Sequence, residues 1–521
     1  MHRMLRMSRV HRTRRLACAA LLLLATSGCA QDRATQQQAL ADSIVKEVST
    51  SRDSAPHVGT PAREVDPALI RAVAQASDDW ACRHAIVRML DSLGDQHIDM
   101  GIPQSVEIGF PRGLVLCPLD GKVWGALEDA QNWGFMAANA VLAAQYDGSR
   151  DEWARIDAID GYEPRTLGGV RGLLQGAPGT TVRVRVTTLD GQVGSCDLRR
   201  EPTATGKSNW HDPRAGGLIR FFATTASLPI AWKGADAPPA NLERWPPTAR
   251  RLGPGGSVGY LRIPSLGERD EDDKKPRGHE AERAALRAAI DQVRDCETII
   301  LDLAENRGGC ACMPRELLQA FLHPLVEEIP YRIEIDPRRI PSGVCVAWRV
   351  PLDDISTNRY GGRLIVLVDD MTCSAAEVAV ESLRGAPNVT IIGAPTSGAG
   401  FGVVNLEVSR PPMTLCLGAR PIEWIPPHSS PEAAPIQPDV LVPIDPAALA
   451  LYGPIGAIAR RRFEMLATAW RAAGLDAPTL PPVPQTHPRP MAFPGSHPWW
   501  TLIAPEVPAS PPASTPDSPS P

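Results

Sequence analysis

The chain lacks several of the marks by which a function is often read. It has no CxxC pair and no His/Cys cluster at ligand spacing, which excludes the common structural zinc modules. Its early apolar run, LACAALLLLA, is too short to span a bilayer as a helix. Positive charge is not in excess, for the formal net charge is -5 over 521 residues. Six arginines precede Leu16 and no acidic residue precedes Asp32, so taking that basic start away turns -5 into -11. A chain of that sign offers no electrostatic case for nucleic acid. No motif implies a metal or an organic cofactor.

What is present is enough apolar sequence, 43% with 22% charged, to bury the cores of two or three domains. The first segment, residues 1–28, reads as a bacterial export signal: MHRMLRMSRVHRTRR, the short apolar run, then TSGCAQ. Gly28-Cys29 resembles a lipoprotein lipobox, with Thr26 where Leu or Val is commoner, so Cys29 is the expected site of lipidation. An ordinary secretory peptide cleaved nearby is the alternative. Ala30, rather than Asp, after the cysteine favours an outer-membrane lipoprotein facing the periplasm, tethered to the membrane by its lipid. Without Cys18 and Cys29, nine of the eleven cysteines remain in an oxidising compartment, an odd number that leaves at least one unpaired.

Along the chain, residues 29–65 form a polar tether running into a weak helix. Residues 66–102 carry helical spacing from Asp66 to Leu93, with Asp66 as cap and Pro67 in the first turn, and then the loop GDQHIDMGIP with His97. Residues 103–205 contain β-like runs, among them GLVLCPL and the alternating TVRVRV followed by a Leu-Asp-Gly turn. The stretch WARIDAIDGYEPRTLGGVRGLLQGAPGTTVRVRV resembles a PDZ domain, which implies a β domain that adds an extended peptide as an edge strand. Residues 206–254 read as a linker, and 477–521, ending PASPPASTPDSPSP, as a disordered Pro-rich tail. Between them, 255–476 alternates near-continuous apolar strands (GYLRI, TIILDL, RLIVLV, VTIIG) with helices. That alternation implies an α/β core with a largely parallel sheet covered on both faces.

One short stretch of that core, MTCSAAEVAVESLRG, poses a choice. Ser374-x-x-Glu377 fits a capping box, yet Ser374 also follows a buried strand and opens a helix, where a hydroxyl meets the helix dipole and the Ala375 amide. A serine hydroxyl needs a base and an oxyanion site before it attacks a carbonyl, and the Gly308-Gly309 turn offers unobstructed amides. A cysteine nucleophile is the weaker alternative, because no basic group adjacent in sequence lowers a thiol pKa.

In order, GYLRIPSL, IILDLAENRGG, LIVLVDDMTCSAAE, VTIIGAPTSGAG and PEAAPIQPDVLVP resemble the blocks of the carboxyl-terminal processing peptidases and the tricorn core protease, serine peptidase family 41. With MLDSLGDQH, the similarity runs from about residue 66 to 445. The resemblance implies a crotonase-like (ClpP/crotonase) peptidase core with an N-terminal helical segment and a PDZ-like β domain. It also implies hydrolysis of peptide bonds in peptides or unfolded protein ends. Ser374 falls on the nucleophile of the family, and Gly308, Gly309 and Ala375 on its oxyanion donors. The lysine base of the bacterial processing branch falls on Ala399, so a serine/lysine dyad is absent. The tricorn branch implies His97 as base and Glu432 as its partner, with Gln96 standing where the family has a bridging serine. His97 held by Asp95 or Asp99, and Glu423 in place of Glu432, stay open as alternatives. Cys310 with Cys373, and Cys117 with Cys196, are candidate disulfides. Ala399 and Gln96 also feed a second reading, an inactive peptidase-fold lipoprotein that binds peptides or scaffolds envelope proteins. A coenzyme-A-using crotonase relative is a third, against which the export signal argues.

Overall fold

The structure, a computed structural model, describes residues 30–53, 65–94, 99–103, 105–111, 114–127, 153–202, 247–267, 280–309, 313–322, 331–333, 359–399, 402–420, 422–424, 428, 435–477 and 501–502. The export signal with Cys29, the loop with Gln96 and His97, Glu432, Cys310 and Cys312, the charged loop near 270 and most of the linker and tail lie outside these residues.

Three helices come first: α1 (Ala30–Asp53), α2 (Pro67–Ala74) and α3 (Asp79–Asp91). Asp66 caps α2 as its sequence implies, Oδ1 accepting from the Ala68 amide at 2.8 Å with Pro67 in the first turn. The helical pattern from 66 to 93 is interrupted because Asp78 starts a new cap, accepting from the Ala81 amide at 2.8 Å. Helix α1 occupies much of the expected tether. Ala41 and Ile44, on one face, are fully buried in a shared core.

Next come β1 (Asp99–Gly101), β2 (Gly109–Pro111), β3 (Leu114–Leu119), β4 (Lys122–Leu127), β5 (Ala154–Ile159), α4 (Leu167–Leu174), β6 (Thr181–Thr188) and β7 (Val193–Pro202). Strands β7-β6-β5-β4-β3 form an antiparallel meander, and β6 shows the alternation expected of TVRVRV, with Val182, Val184 and Val186 buried and the residues between them exposed. Asp91, at the end of α3, accepts from the Arg165 and Thr166 amides (each 2.8 Å), the Thr166 hydroxyl (2.6 Å) and the Tyr162 hydroxyl (3.1 Å). The helical segment and this β domain are thereby fastened together.

The third unit contains β8 (Thr248–Leu252), β9 (Val258–Arg262), α5 (Glu280–Asp291), β10 (Thr298–Asp302), α6 (Met313–Phe321), β11 (Tyr331–Ile333), β12 (Arg363–Val368), α7 (Ala375–Leu383) and β13 (Val389–Gly393). It continues with β14 (Gly402–Ser409), β15 (Pro412–Arg420), β16 (Ile422–Trp424), β17 (Val440–Leu441) and α8 (Pro446–Ala472). The sheet runs β17-β13-β12-β10-β9-β8, parallel throughout except β8, which pairs antiparallel within what reads as linker. One face is covered by α5, α6 and α7 through Leu286, Leu317 and Ala379, and the other by α8 through Phe463, Leu466 and Trp470. Each such fully buried Leu or Phe contributes about 1.5–3 kcal/mol. Helix α8 bends at Gly453-Pro454, where φ is 68° at Gly453. Inside the expected tail, β18 (Thr501–Leu502) pairs with Ser195 and Gly194 of β7.

Of the candidate disulfides, Cys310 with Cys373 involves a residue outside those described, and Cys117 with Cys196 is not formed. Cys117 on β3 and Cys196 on β7 are both thiols, with β4, β5 and β6 between them. Four strand spacings amount to roughly 19 Å, beyond the ~7 Å Cα reach of a disulfide. The Cys373 thiol faces the Arg307 carbonyl at 3.1 Å.

Candidate active site

Because β9, β10, β12 and β13 run parallel, their carboxyl ends share one edge of the sheet, and the connections that leave it meet there. Three of these connections build the site: the turn 303–309 after β10, the loop 369–374 after β12, and the segment 394–399 after β13.

Ser374 is the N-cap of α7, but its backbone is not that of an ordinary cap. An N-cap residue normally sits in the β region. Ser374 stands at φ 56°, ψ -126°, a conformation that costs a residue with a side chain about 1–3 kcal/mol and persists only where its surroundings impose it. Here they do. The Ser374 amide donates to the Ala399 carbonyl at 2.9 Å and to Glu377 Oε2 at 3.2 Å, while the preceding Cys373 amide donates to the Asn306 carbonyl at 3.0 Å.

Glu377 does more than complete a cap. It is fully buried, and Oε1 accepts from the Thr396 hydroxyl (2.5 Å) and the Gly398 amide (2.8 Å). Oε2 accepts from the Ala399 amide (2.7 Å) and the Ser397 hydroxyl (3.3 Å). One carboxylate thus ties the first turn of α7 to the segment after β13. Position 399, where a lysine base is expected in the processing branch, borders Ser374 and holds a buried alanine.

The glycine turn presses against the serine. A Cβ built on Gly308 would lie 2.7 Å from Ser374 Cβ and 2.9 Å from the Ala375 nitrogen, and Gly308 has φ 84°. Its amide donates to Asn306 Oδ1 at 2.9 Å. Asn306 is fully buried and also donates from Nδ2 to the Ile263 carbonyl at 2.9 Å, so it serves as the bracket of the turn. Among the described residues, no hydrogen bond engages the amides of Gly309 and Ala375. Across the neighbouring loop, Asp369 Oδ1 accepts from the Glu305 amide at 2.8 Å and from the Met371 and Thr372 amides at 3.1 Å each, while the Thr372 hydroxyl donates to the Leu303 carbonyl at 3.0 Å.

Beneath the turn lies a buried charge cluster. Asp302 is bonded to Arg262 (3.0 Å), Arg462 and the Tyr260 hydroxyl (2.5 Å), and Arg262 also reaches Glu305 at 3.5 Å and the Ala304 carbonyl. Burial alone would push the Asp302 carboxyl up; the two guanidinium groups outweigh it and hold it below the ordinary carboxylate range. Burial pushes the Cys82 thiol up to about 11 and the Cys196 thiol to about 12, which disfavours either as a nucleophile.

Of the residues expected from the sequence, Ser374, Ala375, Gly308 and Gly309 come together, whereas Gln96, His97 and Glu432 lie outside the described residues. The rival Glu423 sits on β16 opposite Arg332. Sequence reasoning assigned no bracketing role to Asn306 or Asp369 and gave Glu377 only a cap; the polar residues flanking GG and SAAE were the signal available. Among the described residues no cluster of three or more His, Cys, Asp or Glu could hold a metal.

The family model of Peptidase family S41 matches residues 257–442. Among solved structures, mature CPAF aligns with a TM-score of 0.52 at 13% identity, covering 85% of this chain and 98% of that one. Mature CPAF complexed with lactacystin aligns at 0.51 and 13%, covering 85% and 99%. The photosystem II D1 C-terminal processing protease aligns at 0.39 and 15%, covering 81% and 99%. For the two CPAF structures, at 13% identity, the likeness is one of fold.

Proposed function

We propose that the chain, whose residues 257–442 match the model of Peptidase family S41, is a serine peptidase that hydrolyses peptide bonds in peptides or unfolded protein ends. The observation that carries this reading is the strained backbone of Ser374, held where strand turns into helix and packed against the glycine turn. A cap alone would not need that conformation.

In the proposed reaction Ser374 Oγ attacks the scissile carbonyl carbon while His97 takes the hydroxyl proton. The carbonyl electrons move onto oxygen, and the amides of Gly309 and Ala375 stabilise the charge. As the C–N bond breaks, His97 returns the proton to the leaving amine. Water then attacks the acyl ester in the same way, releasing the acid and regenerating Ser374. Glu432, through Gln96 or directly, would hold the imidazole in its reactive tautomer. Ala399 beside the serine favours this histidine base over a lysine.

The proposal includes a crotonase-like core, for which the parallel sheet order speaks, and a PDZ-like domain at 103–205, for which the antiparallel sheet with helix α4 speaks. It also includes export and a lipid anchor at Cys29, which rest on the N-terminal sequence. Labelling purified protein with a fluorophosphonate tests the chemistry. Wild type is expected to label, with loss in Ser374→Ala and a fall of at least about a hundredfold in His97→Ala. A wild type that stays unlabelled yet binds peptides supports the inactive scaffold instead.

A further inference from the structure

The loop that delivers Ser374 is gripped from outside the catalytic core. At the β3–β4 hairpin, Asp120 (φ 48°) and Gly121 (φ 70°) form a tight two-residue turn of the kind that needs positive φ at both positions. The tip of this turn projects from the small β domain onto Asp370, which lies between β12 and Ser374. The Asp120 amide donates to Asp370 Oδ2 at 2.8 Å. Arg461, on α8 and only 2% exposed, closes the triangle: its NH1 meets Asp120 Oδ1 at 2.6 Å and its NH2 meets Asp370 Oδ1 at 2.7 Å.

From this we propose that Asp120 and Arg461 are positioning residues, setting the conformation of the Ser374 loop by holding Asp370. The inference rests on Ser374 being the nucleophile. The physical reason is connectivity. Asp370 sits between Asp369, whose carboxylate organises the loop from within, and Thr372, whose hydroxyl reaches Leu303. A sideways pull on Asp370 is therefore transmitted to a serine that already needs external restraint to keep its positive φ. One guanidinium shared by two carboxylates is also sensitive to either partner. Removing the arginine leaves two acids facing each other, whereas removing one acid loosens only its own corner.

The link spans the molecule, because Asp120 belongs to the β domain, Arg461 to the last helix and Asp370 to the core sheet. A merely stabilising role would lower the melting temperature and leave the reactive fraction unchanged in chemistry. A positioning role changes the acylation rate at a temperature where the protein stays folded.

The experiment compares wild type, Asp120→Asn, Asp370→Asn, Arg461→Met and Arg461→Lys by three readouts below their melting points: fluorophosphonate labelling rate, the kcat and KM split on a quenched peptide, and amide exchange across residues 369–374. Asp120→Asn keeps the backbone donor and removes one charge, so it is expected to fold and to label about tenfold more slowly, with kcat lowered, KM little changed and exchange at Thr372 and Ser374 accelerated. Arg461→Lys is expected to rescue partially relative to Arg461→Met. Wild-type labelling and kcat in Asp120→Asn and Asp370→Asn overturn the inference. If wild type neither labels nor cleaves, the peptidase reading falls, and amide exchange alone decides the positioning: acceleration in Asp120→Asn supports it, unchanged exchange refutes it.

Discussion

A methyl group at position 308 would meet two obstacles. The backbone sits at φ 84°, a region that costs an L-residue about 1–2 kcal/mol, and the new carbon would stand 2.7 Å from Ser374 Cβ. The collision is with the serine itself and cannot be relieved at the far end of a flexible side chain. Gly308→Ala is therefore expected to cut fluorophosphonate labelling by at least about a hundredfold while the far-UV spectrum stays native; near-wild-type labelling would mean the turn does not press on the serine. Glu377→Gln is isosteric but turns one acceptor into a donor among groups that all donate. It is expected to lose about 1–3 kcal/mol by chemical denaturation and at least tenfold in peptide turnover. At this scale the sequence was informative about Ser374 and the glycines, since serine at a strand-to-helix turn and paired glycines have local signatures. It was silent on Asn306 as bracket and on what the Gly308 amide meets, because whether a donor is engaged depends on a side chain folded back across the turn.

Between the elements, the parallel sheet was legible because strands buried on both faces must be apolar almost without interruption, and Ile299 to Leu301, Leu364 to Val368 and Ile391 to Ile392 are. The cluster of Asp302, Arg262, Arg462 and Tyr260 was not legible, since each charge taken singly reads as a surface residue and their meeting depends on α8 crossing the sheet. The short strand β8 was hidden by the Arg-rich, Pro-flanked sequence around it. The cluster makes a pH statement. The Asp302 carboxyl titrates lower in the folded chain than in the unfolded one, so its stabilising contribution is present above about pH 4, the unfolded value, and is lost as pH falls toward the folded value. Asp302→Asn leaves two buried guanidinium groups without their shared anion and is expected to cost about 3–5 kcal/mol at pH 7. The cost should shrink when denaturant midpoints are measured near pH 3; a constant difference across that range would contradict the assignment.

For the molecule as a whole, the helical segment that leads to His97 and the β domain are packed as one body, and their seam is close. A Cβ on Gly169 would lie 2.0 Å from Asp91 Oδ1, and one on Gly172 would lie 2.8 Å from Val87. His84, on α3, crosses the same seam, its Nε2 standing 2.7 Å from the Gln175 carbonyl. Burial is the main reason its pKa is lowered; Arg200 and Arg88 lower it further, against the Gln175 bond and Asp160, which favour the charged ring. The folded protein thus holds His84 neutral, while the unfolded chain takes up a proton near pH 6.5. Stability from this residue is complete above pH 6.5 and declines as pH falls from that value through the lower folded pKa. Urea midpoints for wild type should therefore drop between pH 7.5 and pH 5.5, and His84→Gln, which removes the titrating group, should show a smaller drop over the same interval. The informative quantity is the difference between the two proteins and not either curve alone. Identical urea curves for the two proteins would show that the α3 seam carries no proton-linked stability, and would leave Asp91 and the close glycine contacts as what holds the helices to the β domain.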